Sequence, residues 1–193
     1  MPQTALQKKT HDDLPQNARQ NVGQTSLHFA SHVHTPLGYI GALCDEEGLL
    51  AINWQQTPLH YTFAQNDVSR ETITQLQAYL AGRLTAFSLP ISSRSVSKTF
   101  HAWLAAIGSV PYGKTVSYAE LAGIWGNPKA ARAAGSACQK NPLPIIIPCH
   151  RIIGSDGSYD KYSGGDITAP SSVGNVGRKK ALLDLEAGLL RIL

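Results

Sequence analysis

The sequence predicts an α+β protein built from two unlike halves. Short strand-like runs, roughly alternating at 27–34 and more continuously apolar at 39–44 and 49–54, are separated by turn residues from Ser26 to Trp54. Beyond Ser69 the apolar spacing changes to the helical period, as at Phe100, Trp103, Leu104 and Ile107. Gly, Pro and Asn then divide the second half into short helices. A period near two marks strands with one buried face, and i, i+3, i+4, i+7 spacing marks amphipathic helices. A chain of 193 residues suffices for one domain with a substantial core or for two small ones.

Residues 1–25 are polar, rich in Gln and Asn and poor in large apolar groups. Such a segment cannot bury enough surface to offset its ordering entropy, so a disordered tail is expected. Strands follow at 27–34, 39–44 and 49–54, separated by Thr35-Pro36-Leu37-Gly38 and by the turn 45–48, which makes a small antiparallel meander. Next comes a helix with Ser69 as N-cap, an apolar stripe of Ile73, Leu76, Tyr79 and Leu80, and Gly82 at its end. Residues 89–93, with Pro90 and two serines, read as a boundary linker.

The second half opens with the Phe100–Ile107 stripe and turns at Val110-Pro111-Tyr112-Gly113. Ser117 and Glu120 have capping-box spacing and start a helix that runs to Ile124 or Trp125. Gly126-Asn127-Pro128 breaks it and starts another, with Asn127 as N-cap and Pro128 in the first helical position, to about Gln139. This pair is a helix-turn-helix candidate. Its second helix is mostly alanine, with Lys129 and Arg132 near the N-terminus. Small side chains suit either close packing in a core or close approach to a groove, and the basic end suits phosphate.

Composition narrows the functional classes. No window approaches the about 18 apolar residues of a membrane span, and the N-terminus has no apolar signal region. Cys44, Cys138 and Cys149 are an odd set without C-x-x-C spacing, against a disulfide framework or a cysteine zinc site. A reducing, cytoplasmic setting is expected. The net charge of +4 is uneven: residues 1–97 hold 6 Lys and Arg against 7 Asp and Glu, whereas residues 98–193 hold 11 against 6. A positive second half suits a polyanion.

The most informative stretch is Pro148-Cys149-His150-Arg151, flanked by Ile145-Ile146-Ile147 and Ile152-Ile153. A thiol reacts as thiolate, and a neighbouring base promotes that form. Taken alone, the pair also fits a core cysteine beside an ordinary histidine.

Its surroundings carry a resemblance. Asn127-Pro-Lys-Ala-Ala-Arg132-Ala-Ala-Gly135, Asn141-Pro142-x-Pro144, Ile147-Pro148-Cys149-His150-Arg151-Ile152, Tyr162-Ser163-Gly164-Gly165 and Lys179-x-x-Leu182-Leu183-x-x-Glu186 follow one another in order. With Phe100, Trp103, Pro111, Gly113, Thr115, Ser117, Tyr118, Leu121 and Ala122, they make the chain similar to the O6-alkylguanine-DNA alkyltransferases. Beyond the tail at 1–25, the resemblance implies a ribonuclease-H-like α/β domain at 26–93 and a winged-helix-like helix-turn-helix domain at 94–193. It implies a monomer that binds the minor groove of double-stranded DNA and flips out O6-alkylguanine. The alkyl group then passes irreversibly to a cysteine, so each molecule acts once. O4-alkylthymine stays open as a second lesion. No cofactor is implied.

By the same resemblance Cys149 is the acceptor, His150 takes its proton through a water, and Glu186 orients His150, in the logic of a hydrolytic triad. Tyr118 protonates guanine N3, Ser163 bonds guanine O6, and the carbonyls of Cys149 and Ile152 read the exocyclic amine. Asn141 braces the turn below the cysteine, and Pro144 and Tyr162 wall the pocket. Arg132 fills the gap left by the flipped base, whose extrusion costs a few kcal/mol. Lys129, Ser117, Ala131, Ala133 and Gly135 complete the DNA-facing surface, where small residues allow close approach.

The sequence departs from the family in two places. Residues 166–178 read as a flexible insertion of about ten residues. Asp160 stands where the family usually has Gly, which predicts a preference for methyl over benzyl adducts. His28, His32 and His34 alternate on a strand, but no cysteine pair accompanies them, so no zinc is expected. Three other functions compete. A binding-only damage sensor would lack Cys149. A cysteine hydrolase would need no basic helix. A major-groove regulator would need long polar side chains where this helix has alanine.

Overall fold

A computed structural model describes residues 29–55, 64–159, 161–163 and 172–193. The expected tail at 1–25 and Asp160 lie outside the described residues.

Three strands form the expected meander: β1 (Phe29–Thr35), β2 (Gly38–Cys44) and β3 (Leu49–Gln55), in the order β1-β2-β3, antiparallel. The first hairpin is tight. Thr35 Oγ1 donates to the carbonyl of Gly38 and accepts from the Leu37 amide, and Gly38 has φ 115°, which L side chains avoid. At the second turn Asp45 Oδ1 accepts from the Glu47 and Gly48 amides. A Cβ on Gly48 would lie 2.4 Å from the Pro90 carbonyl oxygen, so the chain passes here only because residue 48 has no side chain. That approach changes the reading of 89–93. The Leu49 amide donates to the Pro90 carbonyl and the Ser92 amide to the Leu49 carbonyl, so the segment is stitched to β3 rather than running free.

Helix α1 (Asp67–Leu80) starts earlier than expected. Its N-cap is Asn66, whose side chain accepts from the Ser69 amide while Ser69 Oγ accepts from the Asn66 amide. Both residues suit a cap, and Asn66 takes the position because its carbonyl oxygen reaches the third helical amide. Ser69 serves inside the capping box. Gly82, with φ 69°, follows the helix end as expected.

The second half contains α2 (Lys98–Gly108), β4 (Val116–Ser117), α3 (Tyr118–Trp125) and α4 (Ala131–Lys140). Ser117 and Glu120 form the expected capping box, and Gly126 ends α3 at φ 113°. Asn127 caps a 3-10 turn (Pro128–Ala130), so the α-helical part of the next helix starts at Ala131. Trp103 of α2 and Trp125 of α3 stack 4.3 Å apart, 4° from parallel. Two-residue β5 (Ile152–Ile153) pairs in parallel with β4, a pairing too short to be expected from sequence.

Helix α5 (Val173–Glu186) corrects the expectation of a flexible insertion through 178. Ser172 caps it by accepting from the Asn175 amide, and Arg178 is buried within it. Gly174 and Gly177 disfavour helix by about 1 kcal/mol each, which made the segment read as loop. Packing of Arg178 outweighs that cost: it lies over the Trp54 ring and donates to the Leu37 carbonyl. One apolar core joins the halves, running from Ile40, Ile52, Trp54 and Leu76 to Ile107, Leu121, Ile145 and Leu182. The Ile52 amide donates to the Pro142 carbonyl, and Ile192 and Leu193 donate to the Leu80 carbonyl. The meander therefore backs directly onto the segment that leads to Cys149.

Candidate active site

The segment 141–151 is short, mostly buried and internally braced. Asn141, at the end of α4, is its organiser. Its Nδ2 donates to the Ile147 carbonyl (2.8 Å) and to Cys149 Sγ (3.2 Å), and its Oδ1 accepts from the Leu143 amide (3.0 Å). Between them Ile145 has φ 75°, a conformation that a β-branched residue adopts only under constraint. Proline at 142, 144 and 148 leaves few amides to satisfy, and the Ile147 and Cys149 amides donate to the Leu143 and Ile147 carbonyls. Cys149, His150 and Arg151 then form one 3-10 turn, all buried.

Behind Cys149 lies a hydrogen-bonded cluster. His150 is 0% exposed, and its Nε2 is 2.9 Å from Glu186 Oε1. Arg151 Nε lies 3.1 and 3.0 Å from the two carboxylate oxygens, and its Nη2 donates to Oε1 at 2.8 Å. The Gly113 amide donates to Oε2 at 2.9 Å, and Tyr79 Oη donates to Oε1 at 2.6 Å. Burial alone would raise the Glu186 pKa, but the bonds from His150 and Arg151 outweigh it and hold the carboxyl well below its usual range. An ionised carboxylate only accepts, so the His150 proton is on Nε2. Nδ1 then carries the lone pair; it is buried and, among the described residues, has no hydrogen-bond partner.

The electrostatics differ from the simple expectation of a ready thiolate. Burial pushes the Cys149 thiol up, partly offset by the Asn141 hydrogen bond and the Lys179 charge. Burial pushes His150 down, partly offset by its bond to Glu186. The resting pair is thus a thiol and a neutral imidazole, because desolvation disfavours both charged forms. Proton transfer belongs to the reaction rather than to the resting state.

In front of Cys149 is a cavity of about 470 Å³. It is lined by Tyr118, Ala131, Arg132, Gly135, Cys138, Gln139 and Cys149, and on its other side by Gly154, Ser158, Tyr159, Lys161, Tyr162 and Ser163. Of the expected pocket residues, Tyr162 and Ser163 line it and are buried. Pro144 and Ile152 do not line it. Pro144 pairs with Ile147 in the turn leading to Cys149, and the Ile152 carbonyl accepts from Lys179 Nζ at 2.7 Å. Asn141, His150 and Glu186 lie behind the cavity wall rather than in it.

The expected DNA-facing residues divide as well. Arg132, Ala131 and Gly135 line the cavity, and Arg132 is exposed. Lys129 and Ala133 are exposed beside them on the same stretch. Ser117 is partly engaged, since its Oγ accepts from the Glu120 amide. Three participants escaped the sequence reading: Tyr79, Arg151 and Lys179. Arg151 and Lys179 stand within quoted motifs, and Lys179, 1% exposed, ties the Ile152 and Lys161 carbonyls together. Tyr79 carries no motif signal. Among the described residues no three His, Cys, Asp or Glu side chains gather as a metal site, and no helix is long and apolar enough to cross a membrane.

Two family models match successive parts of the chain. Residues 29–93 match the family model of the 6-O-methylguanine DNA methyltransferase ribonuclease-like domain, and residues 98–188 match that of its DNA-binding domain. The chain is 38% identical over 136 residues to a methylated-DNA–protein-cysteine methyltransferase of Methanosarcina acetivorans, covering 68% of this chain and 86% of that one. To the constitutive Bacillus subtilis enzyme of that name it is 32% identical over 161 residues, covering 79% and 96%. The crystal structure of Mycobacterium tuberculosis O6-methylguanine methyltransferase superposes with a TM-score of 0.68 at 32% identity, covering 84% of this chain and 94% of that one. A structure of the Mycobacterium tuberculosis protein in complex with DNA gives the same TM-score at 30% identity, covering 84% and 95%.

Proposed function

This chain belongs to the 6-O-methylguanine DNA methyltransferase family, and from that premise we propose that Cys149 is the thiol that accepts the alkyl group. The protein is a DNA-repair transferase that moves alkyl groups from DNA to its own cysteine. What supports Cys149 is its placement. It is the thiol that combines a face on the cavity with a neighbouring neutral histidine whose proton is held on the far nitrogen.

The chemistry then runs as follows. The Cys149 thiol proton passes through a water to His150 Nδ1, and the imidazolium is stabilised by Glu186. Sγ attacks the O6-alkyl carbon and forms the S–C bond as the C–O6 bond breaks. The bonding pair goes to guanine, which takes a proton at N3 from the Tyr118 hydroxyl; the proton held on His150 then returns through solvent to the Tyr118 oxygen, leaving both side chains as they began. The Ser163 hydroxyl supports O6. The thioether product has no leaving group that water can displace, so each molecule turns over once. Asn141 holds Sγ in line throughout.

α4 carries the recognition surface, entering the minor groove of double-stranded DNA as a monomer, in a reducing cytoplasmic setting. Arg132 enters the stack where O6-alkylguanine leaves it, and Lys129 faces phosphate. Exposed Ala133, with half-buried Ala131 and Gly135, permits the close approach that larger residues would block. The test is intact-protein mass spectrometry after incubation with a duplex containing O6-methylguanine. One methylene mass added at one equivalent, mapped to Cys149 and absent in Cys149→Ala, is the expected result. Tight binding without mass change would mean a damage sensor instead.

A further inference from the structure

Resting on that assignment of Cys149, His150 and Glu186, we propose that Tyr79 is a positioning residue of the transfer, supplied to the site by the meander half of the chain. Tyr79 sits in the last turn of α1 and is 0% exposed. Its ring is held between Phe87 (5.2 Å) and Tyr112 (6.1 Å, edge-on). Such packing leaves the hydroxyl little freedom, and it points into the cluster behind Cys149. Oη donates to Glu186 Oε1 at 2.6 Å and lies 3.3 Å from His150 Nε2.

The direction of these bonds matters. Glu186 only accepts, so the Tyr79 proton is committed to it. Toward Nε2 the hydroxyl therefore presents a lone pair, and the His150 N–H faces two acceptors, Glu186 and Tyr79. That favours the tautomer in which Nδ1 is the base. When Nδ1 takes the thiol proton, the ring becomes cationic and both contacts to Nε2–H strengthen, as charge-assisted bonds do. Tyr79 also competes with Arg151 for Oε1. Without the hydroxyl, the carboxylate is drawn toward the guanidinium and the imidazole loses part of its hold. The contacts to Glu186 and His150 account for a hydroxyl at this buried position of the α1 stripe.

The experiment compares wild type, Tyr79→Phe and Phe87→Leu. Tyr79→Phe keeps the ring and removes the oxygen. Phe87→Leu loosens the same packing and keeps the hydroxyl. Single-turnover methylation at saturating O6-methylguanine duplex is expected to slow about tenfold in Tyr79→Phe, with duplex affinity within about twofold of wild type, the scale of one charge-assisted hydrogen bond. Phe87→Leu, which keeps the hydroxyl and both its partners, is expected to lower Tm with a rate loss well below that of Tyr79→Phe. Nitrogen-15 NMR of the His150 ring in the free protein is expected to shift at Nε2 in Tyr79→Phe alone. Unchanged His150 resonances, a wild-type rate in Tyr79→Phe, or rate losses in both variants that follow their Tm losses would each overturn the inference. The NMR result stands whether or not methyl transfer occurs, whereas a wild-type Cys149 that is never methylated overturns the functional reading instead.

Discussion

On its inner side the cavity ends at Cys149, behind which His150, Arg151, Glu186 and Tyr79 are buried and joined by hydrogen bonds of 2.6 to 3.1 Å. On its outer side stand Ala131, Arg132 and Gly135, beside exposed Lys129 and Ala133. The inner wall is dense in charge and shielded from water; the outer wall is small, basic and wet. The contrast separates two tasks. Moving a proton and stabilising an imidazolium requires preorganised groups in a low-dielectric setting. Meeting a DNA backbone requires exposed cations and little bulk. Inner-wall changes should therefore lower stability and rate together, and outer-wall changes should weaken DNA-dependent steps without a loss of stability.

The largest effect expected is at Glu186. Glu186→Gln preserves shape but leaves Arg151 buried without its counter-ion and frees the His150 ring. Removing one partner of a buried pair costs about 3 kcal/mol, and losing a positioned base costs about 100-fold in rate; thermal unfolding and single-turnover methylation measure the two. The pH dependence carries the same signature. Glu186 is depressed in the fold, so its contribution is present above the unfolded value near 4.3 and is lost as pH falls below it. His150 is also depressed, by burial, with Glu186 opposing and Arg151 and Lys179 adding to the shift. The unfolded chain therefore takes up that proton first, and stability begins to fall below about 6.5. Wild type should lose Tm in both acid ranges. Glu186→Gln should lessen the loss below about 4.3, leaving the part due to other depressed carboxyls such as Glu120 and Asp156; an undiminished loss in that range would mean that Glu186 is not held ionised by the cluster.

The inner wall was also the harder one to foresee. Cys149, His150 and Glu186 stand in motifs, and the structure brings them together. Tyr79 occupies a buried position in the apolar stripe of α1, so periodicity counted it as core, and its partner Glu186 lies 107 residues away. Nothing local marks a hydroxyl whose acceptor comes from the other end of the chain. Pro144 and Ile152 show the reverse. Motif position placed them at the pocket, whereas Lys179, fully buried, claims the Ile152 carbonyl. The α+β class and the meander were legible because periodicity and turn residues are local. The start of α5 was not, because two glycines hid a helix that tertiary packing of Arg178 sustains.

Arg132 sharpens the contrast from the outer side. It is exposed, lines the cavity, and makes no contact that the inner cluster needs. Arg132→Ala should leave Tm within about 0.5 kcal/mol equivalent of wild type, as exposed substitutions do. On duplex O6-methylguanine the rate should fall about tenfold or more, because the cost of base extrusion, a few kcal/mol, is no longer offset. On the free modified base, where nothing has to be flipped, the rate should match wild type. An equal loss on both substrates would move Arg132 to the chemistry and dissolve the division between the walls.

The smallest expected effect separates two explanations of why α4 is built from such small residues. Gly135 lies mid-helix, and a Cβ there would sit 3.9 Å from the Tyr118 ring, an ordinary contact. The free protein therefore has room for alanine, and replacing a helical glycine gains about 0.5–1 kcal/mol. If α4 were small only to pack within the protein, Gly135→Ala would be a plain improvement. If it is small because DNA must come close, the variant should melt higher yet bind duplex about twofold to fivefold more weakly, the cost of one methyl pressed against a partner. Differential scanning calorimetry and a fluorescence anisotropy titration read the two quantities separately. A gain in Tm with undiminished affinity would leave the outer wall defined by its charge, not by its lack of bulk.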